Sequence, residues 1–481
     1  MKLRIITGVS LLYILGGCST TLPPHKSSDL KAPSMMRGGV PVRHQAEDLR
    51  RMSWWKKMHD PVLDRLIQEA LANNNQIQAA QANILQAQAQ LQAARFAWLP
   101  TLGATGGGVV GGGWDSDFTS ERPALQNLGL TRTGNIHFKG YYTGFVPKYT
   151  LNILQNIEQE KFAKASLEVQ KATYQSVKLS VIGQVSGSYF MLLGQKEQLR
   201  LQAQLIRDLK KVRQLEGVRF KDGASDNATV LSFDRQIASN EANMPTTENS
   251  IAQTENAIQL LLNRNPAPIV THGDINRLSV RGLIPANVPS AVLKNRPDLM
   301  IAQENLKMSE ANVGLAYAAF FPTIPITGLL GRSSFELSHL LKLSTALWFV
   351  DASASMPLLN GMNYAQIKAA KAGFQAAFYT YLQTLKSVFA DVDNSLTNQQ
   401  KMNKAYEYQL KALQASQNAY RLAVARYKAG AKDYRDVANA QVSVDSAQLT
   451  FNLAKMQQLD AIVQVYQALA GGYEVSPSNT L

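Results

Sequence analysis

Two hydrophobic periods alternate along this chain. Phe374, Phe378, Tyr381, Leu385, Val388 and Val392 recur at steps of four and three, as do Val437, Ala440, Val444, Ala447, Phe451 and Ala454. Such stripes are the narrow seams of coiled helices, thinner than the apolar face of a helix enclosed in a globular core. Residues 358–429 contain no proline, so an unbroken helix there would extend on the order of 100 Å at its usual rise per residue. Gln76 to Arg95 is almost wholly Ala and Gln, strong helix chemistry with small side chains. Gly223 and Gly430 end the outgoing long helices, as the left-handed position after a helix prefers. The chain then returns, giving two long antiparallel helical hairpins.

The second period is two. Ile136, Phe138, Gly140, Tyr142, Gly144 and Val146 form one face, opposed by Asn135, His137, Lys139, Tyr141 and Thr143. Trp348, Val350, Ala352, Ala354 and Met356 oppose Asp351, Ser353 and Ser355; Ile324, Ile326, Gly328 and Leu330 alternate likewise, and Leu102 to Trp114 does so in glycine-rich form. Apolar-out, polar-in strands fit a barrel with lipid outside and water inside, although a soluble hairpin on a core would alternate the same way. Four strands cannot close a barrel, for which about eight is the smallest working number. A barrel therefore needs copies of the chain.

The pattern occurs twice. At an offset of 207, Asn156, Lys161, Lys164, Ala165, Tyr174, Val181 and Val185 meet Asn363, Lys368, Lys371, Ala372, Tyr381, Val388 and Val392. The same offset sets Arg219-Phe220-Lys221-x-Gly223-Ala224 on Arg426-Tyr427-Lys428-x-Gly430-Ala431. Upstream the offset is 222, pairing Asn73, Ala80, Gln81, Asn83, Ala94, Pro100 and Thr101 with Asn295, Ala302, Gln303, Asn305, Ala316, Pro322 and Thr323. Duplication of one supersecondary unit accounts for both offsets, with the extra residues of the first copy lying between Pro100 and Asn156. The expected organisation has a first repeat over 61–284, with a β-hairpin at 100–150, a long helical hairpin at 151–264 and an equatorial segment at 265–284. A second repeat spans 285–481, with a β-hairpin at 322–357, a long helical hairpin at 358–470 and a C-terminal tail. Residues 1–17 precede these as a signal peptide and 18–60 as an N-terminal extension.

Composition narrows the setting. Of 481 residues only Cys18 is a cysteine. Lys2 and Arg4 form a basic start, Ile5 to Leu15 an apolar stretch too short to span a bilayer comfortably, and Leu15-Gly16-Gly17-Cys18 a bacterial lipobox. The expectation is cleavage before Cys18 and lipidation of its thiol, with an ordinary cleaved signal and an incidental cysteine as the plainer account. Ser19 follows, where an Asp would favour inner-membrane retention, so the address is the outer membrane. The net charge of +14 is spread along the chain without a dense basic block, which describes solvated helix faces and no nucleic-acid partner. No stretch after residue 17 is apolar enough for a membrane helix.

Catalysis finds little support. The six histidines (His25, His44, His59, His137, His272, His339) are scattered with no metal-ligand spacing, so neither a metal nor another cofactor is expected. Gly106-Gly107-Gly108 and Gly111-Gly112-Gly113 sit in an alternating strand with no helix opening after them, unlike a phosphate-binding loop. Ser53-x-x-Lys56 lacks the partner motifs of penicillin-binding enzymes. A structural coiled-coil lipoprotein would explain the helices without needing lipid-facing strands.

Ser53-Trp54-Trp55, Asp60-Pro61-Val62-Leu63, Ala70-Leu71 with Asn73-Asn74, Asn295-Arg296-Pro297-Asp298-Leu299, Phe320-Phe321-Pro322-Thr323 and Arg426-Tyr427-x-x-Gly430 occur in order. With these motifs the mature chain resembles the TolC-like outer-membrane efflux ducts, in their NodT-type lipoprotein branch. The resemblance implies a mainly α, internally duplicated fold. Three copies would combine into a 12-stranded membrane β-barrel continuous with a long periplasmic α-helical barrel. It implies a passive conduit for drugs or other toxic small molecules, served by a periplasmic adaptor and an inner-membrane pump of RND type. A type I protein secretion duct is the alternative within the family. By matching positions, the periplasmic gate would comprise Tyr427, Lys432, Asp436 and Asn439. Thr229 stands where an Asp would clamp Tyr427 and the basic residue, and Asn439 where a second Asp is common. Asp436 copies would form a carboxylate ring in the lumen; the plainer account makes Asp436 and Lys432 solvated charges near a helix start. The turns at Gly223-Ala224 and Gly430-Ala431 would be the tips where the adaptor docks.

Overall fold

The computed structural model describes residues 42–43, 49–113, 136–271, 274–278, 280, 288–289, 296–342 and 346–474. Cys18 and the signal segment, Trp114, Asn135, Asn295 and the tail beyond Glu474 lie outside these described residues. The element order is α1 (Pro61–Asn73), α2 (Asn75–Phe96), β1 (Thr101–Gly113), β2 (Ile136–Leu151), α3 (Ile153–Lys221) and α4 (Asn227–Leu261). A second series follows: α5 (Pro297–Ala318), β3 (Ile324–Ser334), β4 (Ala346–Ala352), α6 (Gly361–Lys428) and α7 (Tyr434–Ala468). Each repeat thus supplies helix, two strands and a long helical hairpin. No helix among the described residues is long and apolar enough to cross a membrane.

Hydrogen bonds repeat along with the residues. Asn74 Nδ2 donates to the Leu261 carbonyl at 2.8 Å, and Arg296 Nη1 donates to the Ala468 carbonyl at 3.0 Å. Asn156 Nδ2 reaches the Ala97 carbonyl at 3.5 Å, as Asn363 Nδ2 reaches that of Ala319 at 3.0 Å. In all four, a side chain near one helix start takes up the carbonyl that another helix leaves unpaired near its end. Asn74 also separates α1 from α2, its side chain accepting from the N–H groups of Gln76 and Ile77.

The chain forms two compact units, and each draws on both repeats. One comprises Gln88–Ser166 and Lys307–Ala376; the other comprises Leu167–Leu306 and Ala377–Leu481 with the described residues up to Ala87.

In the first unit the strands form an antiparallel sheet in the order β1-β2-β3-β4. Its register sets Phe145 beside Leu330 and Leu330 beside Trp348; on the same face lie Leu102, Ile326 and Val350. Leu102, Phe145, Leu330, Trp348 and Val350 are all exposed. The opposite face carries the row Lys148, Thr327 and Asp351. One expectation is corrected here. Tyr142, Gly144 and Val146 share the face of Lys148, so the apolar face of β2 as alternation alone defines it is not the apolar face of β3 and β4. Alternation fixes faces within a strand, whereas cross-strand pairing fixes which faces coincide. Gly144 and Gly331 meet where the hairpins of the two repeats join. A Cβ on Gly331 would lie 2.3 Å from the Thr143 carbonyl oxygen, and one on Gly144 would lie 2.7 Å from the Gly331 Cα. Only hydrogen fits between these backbones.

In the second unit α3 and α4 pair antiparallel through Arg213–Asp234 at 2.8 Å and Lys196–Glu255 at 2.9 Å. The hairpin of α6 and α7 is tied by Gln458 Nε2 donating to Asn403 Oδ1 at 3.0 Å and by Tyr406 against Phe451, ring centroids 5.1 Å apart. The coiled seam holds in Leu385, Val388 and Val392, and in Val437, Val444 and Ala454, all buried. Beyond Ala454 it gives way to burial on almost every side, from Leu459 through Ala470. The reason lies far away in sequence. Trp54, two residues from the Met52 that packs on the same core, stacks on Tyr466 with centroids 4.7 Å apart. Trp55, Leu63 and Ile67 fill the same core, with Val181, Val185, Tyr189 and Leu192 of α3. Tyr189 donates its hydroxyl to Asp60 at 2.7 Å, and Asp60 also caps α1 by accepting from Val62 N and Leu63 N. Burial first, then this bond, pushes the Tyr189 hydroxyl pKa upward. Glu474 N–H donates to the Arg50 carbonyl, and the Glu474 carboxylate pairs with Arg50 and Arg51, so the chain after α7 is fastened to the segment before α1.

Candidate functional site

Both helical hairpins turn on glycine. Gly223 and Gly430 have φ of +72° and +71°, a conformation that side chains with a Cβ rarely adopt. Around each, the backbone closes the helix in the same way: Ala224 N–H donates to the Arg219 carbonyl at 2.7 Å, and Ala431 N–H donates to that of Arg426 at 2.9 Å. These bonds, spanning the last turn, satisfy carbonyls that the helix leaves free. Gly223, Ala224, Gly430 and Ala431 are all exposed.

The returning helices start differently. Asp226 caps α4 by accepting from Thr229 N–H at 2.6 Å; the Thr229 side chain first, and this N–H second, lower its pKa from the ordinary carboxylate value. Asp433, its counterpart, makes no side-chain cap for α7; it accepts from Arg219 Nη1 at 3.0 Å. Arg219 also donates to the Ala224 carbonyl at 3.2 Å. One turn earlier on α3, Glu216 is fully buried and accepts from Ser225 Oγ at 2.7 Å. Arg435 Nε stands 3.5 Å from its other oxygen, and Arg219 Nε 4.0 Å from the first. The end of α3 and the start of α7 are therefore joined by two oppositely oriented ion pairs, Arg219–Asp433 and Glu216–Arg435. These are charge contacts and not hydrogen bonds at the Glu216 Oε1, Arg219 Nε and Arg435 Nε atoms, and removing a cation leaves part of the buried charge uncompensated.

Of the residues singled out by resemblance, Tyr427 lies at the end of α6, Lys432 in the turn, Asp436 and Asn439 on α7, and Thr229 in the first turn of α4. Lys432 Nζ is 3.7 Å from Asp436 Oδ2, a pairing within one helical turn. Tyr427 meets Tyr434 edge to face, centroids 5.5 Å apart. Asn439 is exposed, its carbonyl accepting from Ser443 Oγ at 3.0 Å. Thr229 bonds locally, its N–H to Asp226 and its carbonyl to Ser232 Oγ at 2.7 Å. Nothing joins Thr229 to Tyr427 or Lys432 among these contacts, and near the turns the charge contacts between the hairpins come from Glu216, Arg219, Asp433 and Arg435. A signal for them exists in the sequence. Across the offset of 207, Glu216 and Arg435 meet Ala423 and Ala228, so both charges break the repeat at one junction.

Nearer the core, Lys455 donates to the Leu278 carbonyl at 2.7 Å and lies 5.0 Å above the Tyr406 ring; burial pushes its pKa down to about 8. No group of metal-ligating side chains occurs among the described residues.

The sequence matches the family profile for outer membrane efflux proteins over residues 66–264 and 288–471. It is 28% identical over 477 residues to a probable outer membrane lipoprotein, SilC, of Salmonella typhimurium, spanning 98% of this chain and 99% of that one. It is 26% identical over 457 residues to the cation efflux system protein CusC of Escherichia coli O6:H1, spanning 92% and 95%. The fold is similar to the open state of the MtrE outer membrane channel of Neisseria gonorrhoeae, with a TM-score of 0.79, 26% identity and coverage of 96% and 100%.

Proposed function

The chain belongs to the outer membrane efflux protein family, and we propose that three copies of it form one passive duct that carries small toxic compounds out of the cell. The observation that carries this reading is the sheet of the first unit. It has an exposed apolar face built on Phe145, Leu330 and Trp348, a polar face with Lys148, Thr327 and Asp351, and open edges at β1 and β4. Unpaired edges in hydrocarbon cost several kcal/mol per unsatisfied group, by order of magnitude, and pairing β4 of one copy with β1 of the next removes them. Twelve strands from three copies then suffice for a water-filled barrel.

The duct works without chemistry of its own. Energy comes from an inner-membrane pump of RND type, reached through a periplasmic adaptor that docks on the turns at Gly223-Ala224 and Gly430-Ala431. Cys18 carries the lipid anchor; the similarity to a relative named as a lipoprotein supports this. Asp436 and Asn439 line the narrowing near the turns, Lys432 and Tyr427 steady it, and Thr229 supports the neighbouring hairpin. The ion pairs of Glu216 and Arg219 hold it closed. Cargo is drugs or, given the likeness to a cation efflux protein, metal cations. Cells lacking the protein should accumulate a fluorescent efflux dye, and the wild-type gene should restore its extrusion. Gly430→Pro should reach the outer membrane and fail to restore it. Full extrusion by that variant would remove the docking role, and no accumulation in the deletion strain would remove the efflux role.

A further inference from the structure

Asp445 on α7 has no solvent exposure. One carboxylate oxygen accepts from Gln204 Nε2 at 2.9 Å and from Gln441 Nε2 at 3.0 Å. The other, Oδ2, is buried without any donor. A second carboxyl, Asp208, lies one helical turn beyond Gln204 on α3, and its charge acts on Asp445. Two carboxyls can share a hydrogen bond only if one of them keeps a proton. Both also break the internal repeat at one contact, since the offset of 207 sets Asp208 on Ala415 and Asp445 on Ala238.

We propose that Asp208 and Asp445 form a proton-sharing carboxyl pair that clamps α3 to α7 beside the hairpin turns and loosens that seam when the proton leaves. The proton sits on Asp445 Oδ2 and is donated to Asp208. When it passes to water, both carboxyls are negative and push the helices apart. The surroundings compensate only one of these charges. On α3, Lys211 donates to Asp208 Oδ1 at 2.8 Å, with Arg207 nearby and Tyr434 of α7 acting on Lys211. Lys210 and Arg213 are taken by Glu241 and Asp234 of α4. The same helices carry an apolar cluster, Leu205, Ile206 and Leu209 of α3 and Ile237 of α4, with Val442 and Leu449 of α7 packed against it.

Burial first, with Asp208 adding to it, pushes the Asp445 carboxyl up to about 6 from its ordinary 3.8. The folded form therefore holds the proton more tightly than the unfolded chain. The clamp is fully present below the ordinary carboxylate range, weakens as pH rises and is gone above about 6. Because the seam ends at Glu216–Arg435 and Arg219–Asp433, its loosening favours parting of the turns.

Infrared difference spectroscopy of the detergent-purified full chain tests the pair without relying on transport. A protonated-carboxyl band should titrate with a midpoint near pH 6, be lost in Asp445→Asn, and move to lower pH in Asp208→Asn, where the like charge is gone. In bilayers, wild-type open probability should rise between pH 5 and 7 while Asp445→Asn stays flat. A band unchanged in both variants overturns the pair. So does a band that magnesium or calcium displaces at fixed pH, which would make the occupant a metal cation. If Asp445→Asn fails to fold, an unshifted midpoint in Asp208→Asn is sufficient to reject it. Absent conductance with an intact band counts against the duct and leaves the pair standing.

Discussion

Arg435→Met is the sharpest probe of how the two hairpins are held. Glu216 is 1% exposed in its side chain and faces Arg435 Nε at 3.5 Å, Arg219 Nε at 4.0 Å and Ser225 Oγ at 2.7 Å. Methionine keeps the length of the stem and removes the charge. Losing one partner of a fully buried ion pair costs about 3–5 kcal/mol. Arg435 is 37% exposed, so water replaces part of what it gives, and roughly 1.5–2.5 kcal/mol is the expected loss. If that energy holds the turns together only in the closed form, the open-to-closed ratio should rise about 10- to 70-fold. Single-channel recording in planar bilayers reads this ratio directly. Glu216→Gln supplies the second corner of a double-mutant cycle, and the double variant should open no more than either single one because the interaction can be lost only once. An unchanged ratio in Arg435→Met would refute the latch. Fully additive effects of the two substitutions would show that they act through separate contacts.

Other outcomes follow from the same geometry. Gly331→Val, which drives a Cβ to 2.3 Å from the Thr143 carbonyl, should prevent pairing of β2 with β3 and abolish outer-membrane insertion; protease-resistant trimers in the membrane fraction would contradict this. Trp54→Ala leaves a void against Tyr466 and should lower stability by about 3–5 kcal/mol, read as a shift of the thermal or denaturant midpoint. Cys18→Ser should remove acylation while the sheet still anchors the protein, and an unmodified, uncleaved N-terminus on mass spectrometry of the wild type would discard the lipobox. Lys432→Ala with Tyr427→Phe should raise resting conductance, whereas Asp436→Ala should weaken block by trivalent cations; undiminished block would place the carboxylate ring elsewhere.

Periodicity made the long hairpins legible because each helix buries only a stripe, and the stripe is written every three or four residues. Duplication was legible because both copies kept the polar side chains that cap helix ends, such as Asn156 and Asn363. Gly223 and Gly430 were legible because few residues adopt a positive φ. The face of β2 was not, since Phe145 is matched to Leu330 by pairing between strands and not by anything in β2 itself. The enclosed end of α7 was equally hidden, because Trp54 and Trp55 arrive from some four hundred residues away. At the turns, resemblance pointed to Tyr427, Lys432, Asp436 and Asn439. The cross-hairpin bonds of Glu216 and Arg435 became apparent only when their neighbours in space were known, although their failure to repeat was visible beforehand.

In the proposed assembly, copies of this chain close a water-filled passage through the outer membrane. Reconstitution of the purified protein into a planar bilayer tests it most directly. Discrete, ion-conducting steps of uniform size should appear, and Gly331→Val protein should give none. A wild-type preparation that binds the bilayer and never conducts, at any pH between 5 and 8 and with the latch removed by Arg435→Met, would contradict the account.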